Sequence, residues 1–243
     1  MSREPSLNRE CVVSVLGSFG FSVGGKPLRG LPHGSQRLLA FLALRDRAVT
    51  RAAVAGTLWP EASEDHAHAS LRSALSRLTQ IERTVVRVTS QELSLADGVS
   101  VDIRDARLLV HRLLNQGTAQ DGDLSDQAIA VLSLDLLPDW YDDWAVVEAE
   151  EWRQLRLHAL DALAAGLTAA GRYGDATSAA LAAVKAEPLR ETAHAALIRV
   201  YLAEGNRAEA LSAYQHYRDL LRTELGLEPT PLIQALVKDL QYS

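Results

Sequence analysis

EDHAHASLRSALSRLTQI (Glu64 to Ile81) has two opposed faces when wound as a helix. At about 100° per residue, Leu71, Ala74, Leu75, Leu78 and Ile81 gather on one side, and Ala69, Arg72, Ser73, Ser76, Arg77 and Gln80 on the other. From Ala69 onward the second face has no carboxylate, whereas a solvated helix surface ordinarily mixes both signs of charge. Two readings stand at this point. One is a core helix with an ordinary polar back; the other is a helix that presents Arg, Ser and Gln to an anionic ligand rich in hydrogen-bond acceptors, a description that nucleic acid meets.

The flanking sequence favours the second reading. Upstream, Ser35 to Arg45 is a periodic apolar helix with Ser35 placed to cap it, and Thr50 to Trp59 is another, started by Thr50 and stopped by Pro60. Helix, turn, helix, turn and helix is the helix-turn-helix plan. Downstream, Val85 to Val88 and Glu92 to Leu95 are β-forming runs around Thr89, Ser90 and Gln91, which predicts a two-stranded hairpin in the place of a wing. At the front, Val12 to Leu16 and Phe19 to Val23, followed by Gly24-Gly25, predict a small antiparallel sheet.

The chain has 243 residues, 47% of them hydrophobic, enough for one large or two ordinary folded domains. No apolar run reaches the roughly 18 to 20 residues of a membrane span. The opening MSREPSLNRE is a polar tail without a signal-peptide core, so residues 1–10 are expected to be disordered and the protein cytoplasmic and nucleoid-associated. The single cysteine, Cys11, excludes an internal disulfide and is expected to be a packed side chain.

Charge is unevenly distributed. Residues 1–102 carry 12 Lys+Arg against 10 Asp+Glu, and residues 103–243 carry 13 against 21. Between residues 66 and 87, Arg72, Arg77, Arg83 and Arg87 face Glu82 alone, so a positive field is concentrated around the proposed helix and wing. The composition shift places a boundary near residue 102. Residues 11–102 form the expected winged helix domain and 103–243 an all-α domain, giving a mainly α chain with a small β part.

In the second part, Arg104 to Asn115 is amphipathic, Gln116 to Asp126 is a Gly/Asp-rich loop, and a long helix runs from about Tyr141 to Ala170. Gly171-Arg-Tyr-Gly-Asp-Ala176 then recurs as Gly205-Asn-Arg-Ala-Glu-Ala210, 34 residues on, with Leu163 to Leu197 and Leu167 to Tyr201 at the same offset. That is the period of tetratricopeptide helix pairs, whose small-residue turns let successive helices pack antiparallel. Trp140, Trp144 and Trp152, with Tyr141, have the spacing of core packing in this domain. Asp142, Asp143, Glu148, Glu150 and Glu151 read as the solvated side of the long helix. Tyr173, Tyr201, Tyr214 and Tyr217 belong to repeat interfaces, Gly226 stops a helix, and Thr230 caps the next with Pro231 in its first position.

The motifs Trp140-Tyr-Asp-Asp-Trp144, Glu151-Trp-Arg-Gln-Leu-Arg-Leu157, Glu187-Pro-Leu-Arg-Glu191 and Glu224-Leu-Gly-Leu-Glu-Pro-Thr-Pro231 resemble the bacterial transcriptional activator domain. With Leu58-Trp-Pro60 and Leu71-Arg-Ser-Ala-Leu-Ser-Arg-Leu78 before them, the chain from Val12 to Leu240 resembles the SARP family of actinobacterial regulators of secondary metabolism. The resemblance implies an activator of antibiotic biosynthesis genes that binds direct repeats in promoter DNA as side-by-side protomers and recruits RNA polymerase through its sigma and other subunits. It puts the third helix in the major groove and the wing against the adjacent minor groove or backbone. Carried onto this sequence, it assigns Arg72 and Arg77 to base or phosphate contacts, Ser73 and Ser76 to the groove floor and Gln80 to its edge. Ser70 and Ser35 are assigned to phosphates, and Arg87, Thr89 and Gln91 to the wing. The wing departs from the Gly-rich hairpin ending in an aromatic that related domains often carry.

No sequence motif for phosphate-loop, serine-hydrolase, zinc-protease or kinase chemistry occurs, so an enzyme is not expected, nor any cofactor. His66 and His68, two residues apart on a helix, diverge and are not read as metal ligands; His68 is expected to cap or pack. The alternative to a DNA-binding activator is a protein-interaction adaptor whose winged helix no longer reads DNA.

Overall fold

The computed structural model describes residues 11–115 and 121–240, apart from the side chains of Gln80, Ile81 and Asp121. The expected tail at 1–10 and half of the Gly/Asp-rich loop lie outside the described residues. The chain forms two compact units: one takes the residues up to Asp105 together with Asp135–Trp152, the other Ala106–Leu134 together with the chain from Arg153 onward.

In the first unit, β1 (Cys11–Ser14), β2 (Gly20–Val23) and β3 (Lys26–Pro27) form the expected antiparallel sheet. Next come α1 (His33–Ala43), β4 (Val49–Thr50), α2 (Arg51–Leu58), α3 (Glu64–Ser76) and a single turn, α4 (Gln80–Arg83). The wing is β5 (Val86–Val88) and β6 (Glu92–Leu95), antiparallel with Val86 opposite Leu95, and β4 adds a third strand against β6. β7 (Val99–Val101) returns to the front sheet and pairs with β1 in parallel, a strand that sequence patterning did not announce.

Leu38, Leu39 and Leu42 of α1, Val54 and Leu58 of α2, Leu71 of α3 and Leu93 of β6 are fully buried and make the core. Burying a leucine side chain stabilises by roughly 1.5 to 3 kcal/mol, which is why the apolar stripe of each helix faces inward. Asp102 ties the front together: its carboxylate accepts from the amides of Val15 (2.9 Å), Leu16 (3.1 Å) and Ile103 (2.8 Å). Burial holds its pKa above the usual carboxylate range, against the opposing pull of those amides. Cys11 is buried and its thiol pKa is raised by that burial, in keeping with a packing side chain.

Asp135–Trp152 corrects two expectations. Trp140, Trp144 and Trp152 were assigned to the second domain, yet this stretch packs in the first unit. Trp144 meets Phe41 edge-on at 5.5 Å, and Trp140 meets Trp144 at 5.9 Å. Offset and edge contacts of this kind are favourable beyond the area they bury. Tyr141, however, is exposed. The acidic run is not simply solvated, because Asp142 pairs with Arg37, and Glu148, itself buried, accepts from Arg45 at 2.6 Å. A main-chain link supports the stretch, the Leu137 amide donating to the Val15 carbonyl at 3.0 Å.

The second unit is helical. α5 (Asp102–Leu114) leads in, followed by a 3₁₀ turn at Asp121–Asp123, α6 (Asp126–Leu132) and α7 (Asp143–Ala169), whose first residues belong to the first unit. α8 (Tyr173–Ala186), α9 (Glu191–Glu204), α10 (Arg207–Leu225), α11 (Pro231–Val237) and a terminal 3₁₀ turn at Lys238–Leu240 complete it.

The 34-residue repeat is visible bond by bond. Gly171 (φ 71°) and Gly205 (φ 88°) both end a helix in the left-handed region that favours glycine. The Arg172 amide donates to Leu167 O at 2.9 Å, as the Asn206 amide does to Tyr201 O at 2.8 Å. Ala176 and Ala210, both fully buried, sit where the next helix packs. Tyr214 and Tyr217 are buried in the core that α9, α10 and α11 share. Thr230 occupies the cap position of α11, but its side chain does not cap: Glu191 accepts from the Thr230 amide (2.9 Å) and from its hydroxyl. The Tyr217 hydroxyl also donates to Glu191, at 3.5 Å.

Candidate nucleic-acid interface

Helix α3 stops at Ser76, five residues short of the predicted end, because of its last four carbonyls only Ser73 O keeps an amide of the next helical turn and the other three find different partners. Ser73 O accepts from the Arg77 amide (3.1 Å) and from Ser76 Oγ (2.9 Å). Ala74 O accepts from Ser35 Oγ (2.9 Å), Leu75 O from the Leu78 amide (3.3 Å), and Ser76 O from the Arg83 guanidinium (2.8 Å). A helix end leaves four carbonyls without intrahelical donors, and their pairing defines the stop.

The chain then restarts. Glu82 Oε2 accepts from the Thr79 amide at 2.7 Å, and the Glu82 amide approaches Thr79 Oγ1 at 3.5 Å. This is a reciprocal Thr-x-x-Glu capping box. Thr79-Gln-Ile-Glu82 was therefore a readable signal for a second helix start. Gln80 falls in α4 and not at the edge of α3; its side chain lies outside the described residues.

Ser35 is a correction. It neither caps α1, which starts at His33, nor faces outward. It is fully buried, and its hydroxyl is spent on Ala74 O, binding α1 to α3. It is not available to a phosphate.

The remaining residues divide between a buried and an outward side of the helix. Leu71, Ala74 and Leu78 are buried beneath α3, while Arg72, Ser76 and Arg77 are exposed and Ser70 and Ser73 are half-buried beside them. Neither the Arg72 nor the Arg77 guanidinium has a hydrogen-bond or ion-pair partner among the described residues. Ser70, Ser73 and Arg77 also line a cleft of about 190 Å³ with Gly34 and Trp59. At the other end, Ser63 Oγ and His66 Nδ1 are 3.0 Å apart, and His68, half-buried, lies 4.0 Å from Glu64, one turn away. No group of three metal-binding side chains occurs among the described residues.

The wing is built on Thr89. Its hydroxyl accepts from the amides of Gln91 (3.3 Å) and Glu92 (2.9 Å) and donates to Glu92 O (3.2 Å), so a side chain closes the turn that glycine closes elsewhere. Gln91 is exposed at the tip, and its carbonyl accepts from the Arg51 amide at 2.8 Å, joining the wing to the start of α2. Arg87 is paired with Asp97, so its charge is partly compensated. The residue that sequence reading missed is Arg51, half-buried at the first position of α2 beside the wing tip, with no side-chain partner among the described residues. Its position just after the Thr50 cap was the available signal.

Among the described residues, no helix is long and apolar enough to cross a membrane.

The family model described as the bacterial transcriptional activator domain matches residues 101–241. The regulatory protein AfsR of Streptomyces coelicolor is 31% identical over 218 residues, covering 85% of this chain and 22% of the relative. The regulatory protein AfsR of Streptomyces griseus is 28% identical over 223 residues with the same coverages. The chain thus spans about a fifth of the length of these curated relatives. Among solved structures, Mycobacterium tuberculosis EmbR, in complex with a low-affinity phosphopeptide, matches with a TM-score of 0.68 at 23% identity, over 96% of this chain and 65% of that one. That likeness establishes the shared fold. With the family model covering more than half of its length, the chain belongs to the bacterial transcriptional activator domain family.

Proposed function

We propose that this protein is a sequence-specific activator that binds direct repeats in promoter DNA through α3 and its wing and recruits RNA polymerase, through its sigma and other subunits, to secondary-metabolite genes. The observation that carries the reading is the pair of exposed guanidinium groups, Arg72 and Arg77, left without partners on a face of α3 that carries no carboxylate beyond Asp65 in its first turn. Burying the opposite stripe of α3 in the core directs that face outward, and a free guanidinium suits both phosphate and the O6/N7 edge of guanine. Ser70, Ser73 and Ser76 supply hydroxyls beside them, and Arg87, Thr89 and Gln91 stand on the wing. Arg51 adds a cation near the wing tip. The protomers bind side by side on repeated half-sites, and the protein acts at the nucleoid.

A specific observation favours the adaptor reading as the runner-up: the Arg87 charge is engaged by Asp97, and the Thr89 hydroxyl is consumed by the turn. Genomic fragment selection by the purified protein separates the two. The activator reading predicts enrichment of a short direct repeat by the wild type and its loss in Arg72→Ala/Arg77→Ala. Where both arginines meet phosphates, each contact removed flattens the slope of log affinity against log salt by about 0.9. Equal enrichment by the double variant would refute the assignment of α3, and no enrichment by either protein would turn attention to protein partners.

A further inference from the structure

Within the second unit, α7 and α9 line a half-open cavity of about 330 Å³. The two helices present matched rows to it: Asp161, Ala165 and Thr168 from α7, and Thr192, Ala196 and Arg199 from α9, each at positions i, i+4 and i+7. That spacing puts three residues on one helical face. The alanines keep the walls low, and Val200 adds an aliphatic side. The volume is at the lower end of small-molecule sites, which are mostly apolar with a few convergent polar groups.

The hydrogen-bond accounting determines what such a site accepts. Thr168 donates its proton to Ala164 O (2.7 Å). Thr192 donates to Asp161 Oδ2 (3.0 Å) while accepting from Arg190 Nε (2.8 Å). Both hydroxyl protons are therefore committed. Asp161 Oδ1 is buried with no hydrogen-bond partner, and the exposed Arg199 guanidinium has no hydrogen-bond or ion-pair partner, among the described residues. A buried acceptor without a donor is costly, so the site lacks one donor for Asp161 and one anion for Arg199.

Charge balance narrows the choice. The Asp161 charge already faces Arg190 at 3.8 Å and lies in the fields of His158 and Arg199, so the missing donor is best neutral, and Arg199, exposed and without a contact partner among the described residues, is the cation open to an anion. Burial also raises the Asp161 pKa, which disfavours leaving its charged form unsolvated there.

We propose that this cavity binds a small aliphatic hydroxycarboxylic acid, its carboxylate on Arg199, its hydroxyl donating to Asp161, and its hydrocarbon body over Ala165, Ala196 and Val200. Such a ligand would make the helical unit a sensor of a soluble metabolite, a role independent of the DNA face.

Calorimetric titration of the full chain tests this with leucic acid, with isocaproic acid, which lacks the hydroxyl, and with leucine, which replaces the hydroxyl by an ammonium. The expected order of affinity is leucic acid first, with the other two weaker. Arg199→Gln, an exposed substitution whose fold is checked by circular dichroism, should weaken leucic acid about tenfold or more, the value of a hydrogen bond to a charged group. Absence of leucic acid binding, equal binding of isocaproic acid, tighter binding of leucine, or unchanged affinity in Arg199→Gln would each overturn the proposal.

Discussion

Replacing Ser35 by alanine separates a structural role from a DNA-contacting one. Ser35 Oγ is the partner of the Ala74 carbonyl, one of the four terminal carbonyls of α3, and Ser35 is fully buried. Alanine keeps the packing nearly unchanged but strands that carbonyl, since the Leu78 amide turns to Leu75 O and the Arg77 amide to Ser73 O. Leaving a buried acceptor unpaired costs about 1 to 3 kcal/mol. With a urea dependence of roughly 1 to 3 kcal/mol per molar for a domain of this size, the unfolding midpoint should fall by about 1 M. Tryptophan fluorescence is the right probe, because all four tryptophans, Trp59, Trp140, Trp144 and Trp152, belong to the first unit. In native buffer the variant should bind DNA with the wild-type salt slope. An unchanged midpoint combined with a flattened salt slope would refute the reasoning and return Ser35 to the phosphate backbone.

Four further outcomes are expected in the second unit. Glu191→Ala removes the acceptor of the Thr230 amide and hydroxyl and should cost about 2 kcal/mol in denaturation followed by circular dichroism. In the same variant the Tyr217 pKa, pushed up to about 12 by burial and then by the Glu191 charge and hydrogen bond, should fall, as ultraviolet titration against Tyr217→Phe would register. Buried His194 stacks on Tyr217 at 4.4 Å, and its Nε2 lies 2.9 Å from the Pro188 carbonyl, to which it donates. Burial lowers its pKa, so the folded state binds fewer protons than the unfolded one. Its contribution to stability is present above about pH 6.5, the unfolded value, and is lost as pH falls toward the folded value. Acidification should therefore lower the melting temperature of the wild type more than that of His194→Gln. Finally, Gly171→Ala and Gly205→Ala should each cost about 1 kcal/mol from the left-handed backbone alone, since a Cβ at either meets nothing within 4 Å. Unequal losses in thermal unfolding would contradict the equivalence of the two turns.

Much of this protein was legible because its signals are local. The period of α3, the Thr50 cap of α2, the β-forming runs of the wing and the 34-residue spacing of Gly171 and Gly205 depend on neighbours within a few turns, where backbone geometry dictates which side chains meet. The arginine- and serine-bearing face of α3 was legible for the same reason, and so was the missed break, since Thr79 and Glu82 form a local box that a longer periodicity concealed.

What the sequence by itself determined, then, is the kind of elements, their order and the outward chemistry of α3. Tertiary structure alone decided that Ser35 is a buried clasp, that Asp142 and Glu148 serve Arg37 and Arg45, that Trp140 and Trp144 pack in the first unit, and that Glu191 caps a helix begun 40 residues later. Each of these joins groups distant along the chain. A hydroxyl or carboxylate carries the same sequence signature whether water or a remote amide satisfies it, and only the packed fold, by excluding water, selects the partner.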